Sequence, residues 1–214
     1  MPVYSINLDV NARQCACVGG GTIAARKVED LVEAGACVTV ISPSLAPALA
    51  QLASDKKIIH IAQPYQPGVI GAFFMVICAT DDRSVNQAAA QEARSKGALV
   101  NVVDAPGLCD FTIPSKIKRG DLLITVSTGG RSPALAKKLR LELEALYGPE
   151  YGTYLEWIGT VREQLKHCLK TSKERECFWQ QTIDDEVLSL LRQGKLKDAE
   201  EKIKYAIGCT GVKP

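Results

Sequence analysis

Apolar positions in the first hundred residues fall into short runs separated by glycine, proline and small polar residues, and the spacing inside the runs alternates between two periods. Cys15-Ala-Cys-Val18 is continuously apolar, the pattern of a strand covered on both faces of a parallel sheet. It breaks at Gly19-Gly-Gly21. Beyond the break Ile23, Ala24, Val28, Leu31 and Val32 recur at helical spacing as far as Gly35, which is suited to a left-handed C-terminal cap. Cys37-Val-Thr-Val-Ile41 then returns to the β-branched strand pattern. Strand, glycine turn, helix and strand make one βαβ unit.

The alternation continues. Leu45 to Ala53 reads as a short helix with Leu45, Leu49 and Leu52 on one face and Ser42 or Ser44 as its cap. Lys57-Ile-Ile-His-Ile61 is the third strand, and the apolar run Ala72-Phe-Phe-Met-Val-Ile-Cys-Ala79 supplies the fourth. Val85 to Lys96 is a helix with Asp81 or Asp82 at its N-cap and Gly97 as its stop; Leu99-Val-Asn-Val-Val103 is the fifth strand. Phe111-Thr-Ile113 is expected to add a further strand. Alternating Tyr4, Ile6 and Leu8 make Pro2 to Val10 an edge strand or an arm, followed by a turn at Asn11-Ala-Arg13.

After Ile113 the pattern changes. Ser115-Lys-Ile-Lys118 and Leu122-Leu-Ile-Thr-Val126 flank Arg119-Gly-Asp121 and predict a hairpin. A helix starts at Pro133, capped by Ser132, lined by Ala134, Leu135, Leu139, Leu143 and Leu146, and stopped by Gly148. One hairpin and one helix bury too little surface to stand alone, so a second copy of the chain is expected to complete them. From Tyr151 the period is helical throughout: Tyr151 to Leu169, Arg175 to Gln181, Asp184 to Leu191, and Leu196 to Ile207, with breaks at Gly194 and Gly208.

Composition narrows the class without choosing it. A hydrophobic fraction of 46%, charged residues at 23% and a formal net charge of +2 describe an ordinary globular protein with no bulk attraction for nucleic acid or an anionic membrane. The longest apolar run is too short to span a bilayer, and the N-terminus lacks the basic and apolar regions of a secretory signal, so a cytoplasmic protein is expected. No C-x-x-C occurs among the 8 cysteines. Cys15, Cys17, Cys37 and Cys78 fall inside predicted strands and read as buried, reduced thiols. The two histidines, His60 and His167, lack neighbouring ligands, and no metal site is expected.

The chemistry is concentrated at the carboxyl ends of the predicted strands. Gly19, Gly21 and Ala24 fit G-x-G-x-x-G/A, in which the first glycine permits a tight turn, the second lets backbone approach a pyrophosphate, and the small third residue packs helix on strand. The strand before and the helix after supply the context that makes the pattern specific. The cofactor positions are Gly19, Gly20, Gly21, Thr22 and Ile23 from this turn, Ser42, Pro43 and Ser44 after the second strand, and Ala79 and Thr80 after the fourth. An NAD site usually carries Asp or Glu where Ser42-Pro43-Ser44 stands, so this motif leaves the choice between NAD and NADP open. Asp104 follows the fifth strand at the same crevice, as a base or as the cap of the turn before Pro106.

Taken together, Val18-Gly-Gly-Gly-Thr-Ile-Ala-Ala-Arg-Lys27, Ala79-Thr-Asp-Asp82, Asn101-Val-Val-Asp-Ala-Pro106 and Val126-Ser-Thr-Gly-Gly-Arg-Ser-Pro133 resemble the precorrin-2 dehydrogenases of the sirohaem synthase type. The likeness runs from the N-terminus to about Leu191. It implies a Rossmann-type parallel sheet in 1–113, a small α+β dimerisation hairpin and helix in 114–148, and an all-helical C-terminal domain in 149–214. It implies NAD-dependent dehydrogenation of precorrin-2 to sirohydrochlorin, with ferrous iron insertion in bifunctional members. Asp104 matches the family's aspartate implicated in both steps. A polycarboxylate tetrapyrrole needs cations and backbone donors, for which Lys116, Thr128, Gly129, Gly130 and Arg131 are the candidates. Without the methyltransferase domain that some relatives append, synthesis of precorrin-2 itself is not expected. The alternatives are a dehydrogenase that also chelates iron and a regulatory dinucleotide-binding module that would need no base at the crevice.

Overall fold

The computed structural model describes residues 3–209. The chain divides into two compact units, Tyr4–Ile113 and the segment from Pro114 onward. The first contains β1 (Gln14–Val18), α1 (Thr22–Glu33), β2 (Cys37–Ile41), α2 (Pro47–Ser54), β3 (Ile58–Ile61), β4 (Met75–Cys78), α3 (Arg83–Ser95) and β5 (Leu99–Val102). All five strands are parallel, in the order β3-β2-β1-β4-β5. The order reverses between β2 and β4 on either side of β1, which is the switch point of a doubly wound sheet.

The continuous apolar runs cover both faces because successive strand residues point opposite ways. Cys15, Cys17, Val38, Val40, Met75 and Ile77 pack with Ala24, Val28 and Leu31 of α1 and Leu49 of α2. Ala16, Val18, Val76, Cys78, Val100 and Val102 pack with Ala89, Ala90 and Ala93 of α3. Burial also raises the thiols, Cys17 and Cys78 to about 12 and Cys15 to about 11. Cys37 departs from expectation: it is the first residue of β2, beyond the cover of the helices, and is exposed.

Local signals set most boundaries. Gly35 stands at φ +82 after α1, and Gly97 at φ +81 after α3. Asp82 caps α3, its carboxylate accepting from the Ser84 and Val85 N–H groups. Three expectations fail. Val3 to Asp9 form no strand and lie exposed, and only Val10 enters the core, although the turn at Asn11 and Ala12 forms and Ala12 N–H donates to Gly35 O at 2.8 Å; Pro2 lies outside the described residues. Neither Ser42 nor Ser44 caps α2, because the Ser42 hydroxyl donates to Ser44 O at 2.7 Å and the helix begins later, at Pro47. Phe111 to Ile113 add no strand to the sheet. There the outer edge of β5 is met by an irregular segment: Asp110 N–H donates to Val100 O, the Asp110 carboxylate accepts from Val100 N–H, and the Cys109 thiol meets Val102 N–H and O.

The second unit holds the antiparallel hairpin β6 (Ser115–Arg119) and β7 (Leu122–Val126), α4 (Pro133–Leu146), α5 (Glu150–Cys168), α6 (Ser172–Thr182), α7 (Asp185–Arg192) and α8 (Leu196–Cys209). Ser132 caps α4 by accepting from Leu135 N–H, and Gly120 at φ +57 turns the hairpin. The hairpin does not depend on α4 alone. α5 approaches it so closely that a Cβ on Gly152 would stand 2.9 Å from the Arg119 carbonyl carbon. The helical core collects Tyr154, Leu165, Val187, Leu191 and Ile203. α8 runs through Gly208 rather than breaking there. On α4 the predicted apolar stripe is largely uncovered: Leu135, Leu139 and Leu146 are exposed, as are Leu141 on the same helix and Leu123 on β7. No helix among the described residues is long and apolar enough to cross a membrane.

Candidate functional site

A cavity of about 960 Å³ opens at the carboxyl ends of β1, β2, β4 and β5. Every cofactor position expected from the sequence lines it: Gly19 to Ile23, Ser42 to Ser44, and Ala79 with Thr80. Asp104 lines it too.

The three glycines do different things. Gly19, at φ +120, donates its N–H to Ile41 O at 2.9 Å, and a Cβ there would fall 2.4 Å from Ala79 O. A Cβ on Gly20 would fall 2.0 Å from Ser44 O, and Gly20 O accepts from Ala46 N–H at 2.7 Å. These two glycines let the turn lie flat between the ends of β2 and β4. Gly21 has an ordinary extended backbone (φ −80, ψ −174), and a Cβ there would meet nothing within 4 Å. Its neighbourhood is open cavity.

Gly21 is the N-cap of α1, has no side chain to cap the helix, and the first turn carries no acidic residue. The N–H groups at the start of an α-helix have no intrahelical acceptors, and the dipole there is positive. An open backbone, unspent donors and a positive end suit a pyrophosphate. At the end of β2 the Ser42 hydroxyl is engaged with Ser44 O, Ser42 is buried, and His60 on β3 shares a 2.8 Å hydrogen bond with Ser42 O. The Ser42 to Ser44 loop is therefore held from both sides.

At the end of β4 a residue enters that the sequence reading passed over. Asn86, on α3 and buried, accepts from Thr80 N–H at 3.0 Å and from the Thr80 hydroxyl at 2.8 Å, and donates to Thr80 O at 2.8 Å. One side chain fixes both polar backbone groups of Thr80. The available signal was a lone amide in line with Ala89, Ala90 and Ala93 on an otherwise apolar helix face.

Asp104 follows β5 in the left-handed region at φ +58, uncommon for a residue with a side chain. It is exposed toward the cavity, and its carboxylate has no hydrogen-bond partner among the described residues. Of the candidate substrate contacts, Lys116 lies in β6 opposite Thr125, and Thr128, Gly129, Gly130 and Arg131 form the loop between β7 and α4. All five belong to the second unit. Gly129 and Gly130 both have positive φ, and Gly129 N–H already donates to the Ser127 hydroxyl. The Thr128 hydroxyl accepts from Ser132 N–H at 3.1 Å.

A doubly wound parallel sheet with a glycine turn, an uncapped helix start and a cavity at its switch point defines a dinucleotide-binding protein. Comparison with known proteins agrees. Residues 6–115 match the family model for NAD(P)-binding, residues 119–146 that for the sirohaem biosynthesis protein central region, and residues 150–207 that for the sirohaem synthase dimerisation region. The chain belongs to this NAD(P)-binding family and carries the sirohaem synthase central and dimerisation regions behind it.

The siroheme synthase of Methylobacillus flagellatus is 42% identical over 207 residues, covering 97% of this chain and 44% of that protein. That of Methylococcus capsulatus is 39% identical, covering 96% and 44%. The chain thus spans less than half the length of these relatives. Among solved structures, SirC, a precorrin-2 dehydrogenase, superposes with a TM-score of 0.74 at 26% identity, covering 95% of this chain and 100% of SirC.

Proposed function

We propose that this chain is an NAD-dependent dehydrogenase that oxidises precorrin-2 to sirohydrochlorin in sirohaem biosynthesis. The observation that carries the reading is the cavity itself, where the glycine turn and the Asp104 carboxylate meet at the switch point of the sheet. The likeness to SirC across nearly the whole chain supplies the substrate class.

The amides at the start of α1 would hold the pyrophosphate, and the loop Ser42 to Ser44 the adenosine ribose. Bound NAD supplies the hydride acceptor. Asp104 takes the proton that must leave the macrocycle as the hydride departs, a general-base role that needs a carboxylate ionised at neutral pH. Asp104 lines the cavity from a left-handed backbone at the end of β5. Lys116, Arg131 and the loop Thr128 to Gly130 are proposed to receive the substrate carboxylates, Arg131 through a two-point contact.

The working form is proposed to be a cytoplasmic homodimer. The exposed Leu135, Leu139 and Leu146 stripe supports it, since such a stripe is stabilised when a second copy covers it. In this reading residues 1–113 form the NAD domain, 114–148 the dimerisation hairpin and helix, and 149–214 the helical domain; residues 210–214 lie outside those described.

Anaerobic incubation with precorrin-2 and either NAD or NADP tests the proposal. Equimolar NADH and sirohydrochlorin are expected with NAD, and the NADP arm reads the cofactor preference. Dinucleotide binding without turnover on either cofactor would put a regulatory module in its place. Adding ferrous iron afterwards separates a dehydrogenase from one that also inserts the metal, through a spectral change beyond the enzyme-free control.

A further inference from the structure

The turn that carries Asp104 is built around a thiol. Cys109 Sγ lies 3.2 Å from Val102 N, 3.2 Å from Val102 O and 3.4 Å from Ala105 O, with Asn101 Nδ2 at 3.7 Å. A neutral thiol both donates and accepts, so the S–H can serve one of these carbonyls while the sulfur receives the Val102 N–H. Residues 102 and 105 are the two ends of the turn in which Asp104 adopts its left-handed backbone. Such a conformation persists only where its surroundings over-determine it.

The sulfur is itself anchored. The next residue, Asp110, is pinned to β5 by hydrogen bonds in both directions with Val100, and to α3 by Arg94 at 2.9 Å. Ala105 N–H closes the turn on Val102 O, and Val103 N–H ties its start to Cys78 O at 2.9 Å. Between these fixed points, the Cys109 side chain reaches both flanks of Asp104.

We propose that Cys109 is a positioning residue for Asp104, its thiol holding the Val102–Ala105 turn that presents the carboxylate to the cavity. This rests on the dehydrogenase reading above. Cys109 touches neither substrate nor cofactor in this account, and it acts through where it places another group. A displacement of the base by about 1 Å is enough to lower turnover on the order of 100-fold. Serine keeps a donor and an acceptor at the same position, whereas alanine keeps neither.

The test compares the wild-type chain with Cys109→Ala and Cys109→Ser. NAD affinity, kcat and KM for precorrin-2, the pH profile of kcat, and hydrogen exchange at the Val102 and Ala105 amides are measured. For Cys109→Ala we expect kcat to fall roughly 10- to 100-fold, as for a displaced catalytic group. NAD affinity and KM should stay within about twofold, the acidic limb of the pH profile should move, and both amides should exchange faster. Cys109→Ser should recover most of the rate and the protection. Wild-type kcat in Cys109→Ala, or an equal loss in both variants accompanied by weaker NAD binding, would overturn the proposal. If the wild type binds NAD and does not turn over precorrin-2, the dehydrogenase reading falls. The clamp is then decided by exchange: faster exchange restored by serine supports it, and unchanged exchange refutes it.

Discussion

Adjacent glycines should fail in opposite ways. At Gly21 an added methyl meets no atom within 4 Å, and the backbone is already in a region any residue adopts. Gly21→Ala should therefore fold normally. Reduced freedom of the unfolded chain favours alanine by about 0.4–1 kcal/mol, and the N-cap preference opposes it by a similar amount, leaving stability within about 0.5 kcal/mol of wild type. In the proposed function, however, the pyrophosphate lies against this glycine, and the methyl would intrude on it. Loss of two backbone hydrogen bonds to a charged oxygen, at roughly 1.5–3 kcal/mol each, weakens NAD binding by about 3 kcal/mol or more, which is over 100-fold in Kd.

At Gly20 the same methyl would sit 2.0 Å from Ser44 O and 2.6 Å from Ser42 Oγ, so the loop after β2 has to move. The bonds at risk are Ala46 N–H to Gly20 O and Ser42 hydroxyl to Ser44 O, at roughly 1 kcal/mol each. Overpacking adds about 1–3 kcal/mol. Gly20→Ala should thus lose about 3 kcal/mol of stability, with a Tm lower by roughly 10 °C. Denaturant unfolding and NAD titration of the two purified variants read both quantities. Wild-type NAD affinity in Gly21→Ala would refute the placement of the pyrophosphate on the start of α1. Wild-type stability in Gly20→Ala would refute the packing of the turn against the Ser42 to Ser44 loop.

Removing the Asn86 side chain by Asn86→Ala leaves the Thr80 N–H and carbonyl without their partner; a loss of about 2–3 kcal/mol in denaturant unfolding is expected, together with weaker NAD binding. Asp82, held below its ordinary range first by the Ser84 hydroxyl and then by the Val85 and Ser84 amides, contributes stability that is full above the unfolded carboxyl range and is lost as pH falls through the lower folded value. Unfolding of Asp82→Asn between neutral pH and pH 3 should therefore show a shallower acid dependence than wild type. Alkylation of the native protein at pH 8 should modify Cys37, Cys168 and Cys177 and spare Cys17 and Cys78, whose thiols burial raises to about 12; mass mapping checks the pattern.

What the sequence made legible was what local period and local chemistry decide. The run into Gly19-Gly-Gly21, the helix after it and the strand at Cys37 are set by residues a few positions apart, and β1, α1 and β2 form where those residues stand. Asp82 could be read as a cap because capping needs only the next three residues. The failures involve partners remote in sequence or choices between equivalent local bonds. Ser42 turns its hydroxyl to Ser44 rather than to a helix amide, which no spacing rule distinguishes. Phe111 to Ile113 have strand composition, yet the edge of β5 is met by Asp110.

The candidate site divides along the same line. Strand ends converge on one cavity by topology, so Gly19, Ser42, Ala79 and Asp104 could be named from their places in the chain. Asn86 and Cys109 could not, because their importance lies in the backbone groups they hold: Thr80 for one, Val102 and Ala105 for the other. The left-handed backbone of Asp104 was likewise invisible, since aspartate in a turn before proline is compatible with several conformations.

The most direct test of the central claim, that the cavity binds NAD and Asp104 serves as the base, is one preparation of Asp104→Asn measured for both NAD affinity and anaerobic precorrin-2 turnover beside wild type. The account predicts unchanged affinity with turnover reduced by roughly 100-fold or more, in the range of a lost general base. Wild-type turnover in Asp104→Asn would contradict the assignment of the base, and loss of NAD binding with intact folding would contradict the division of labour between the glycine turn and the carboxylate.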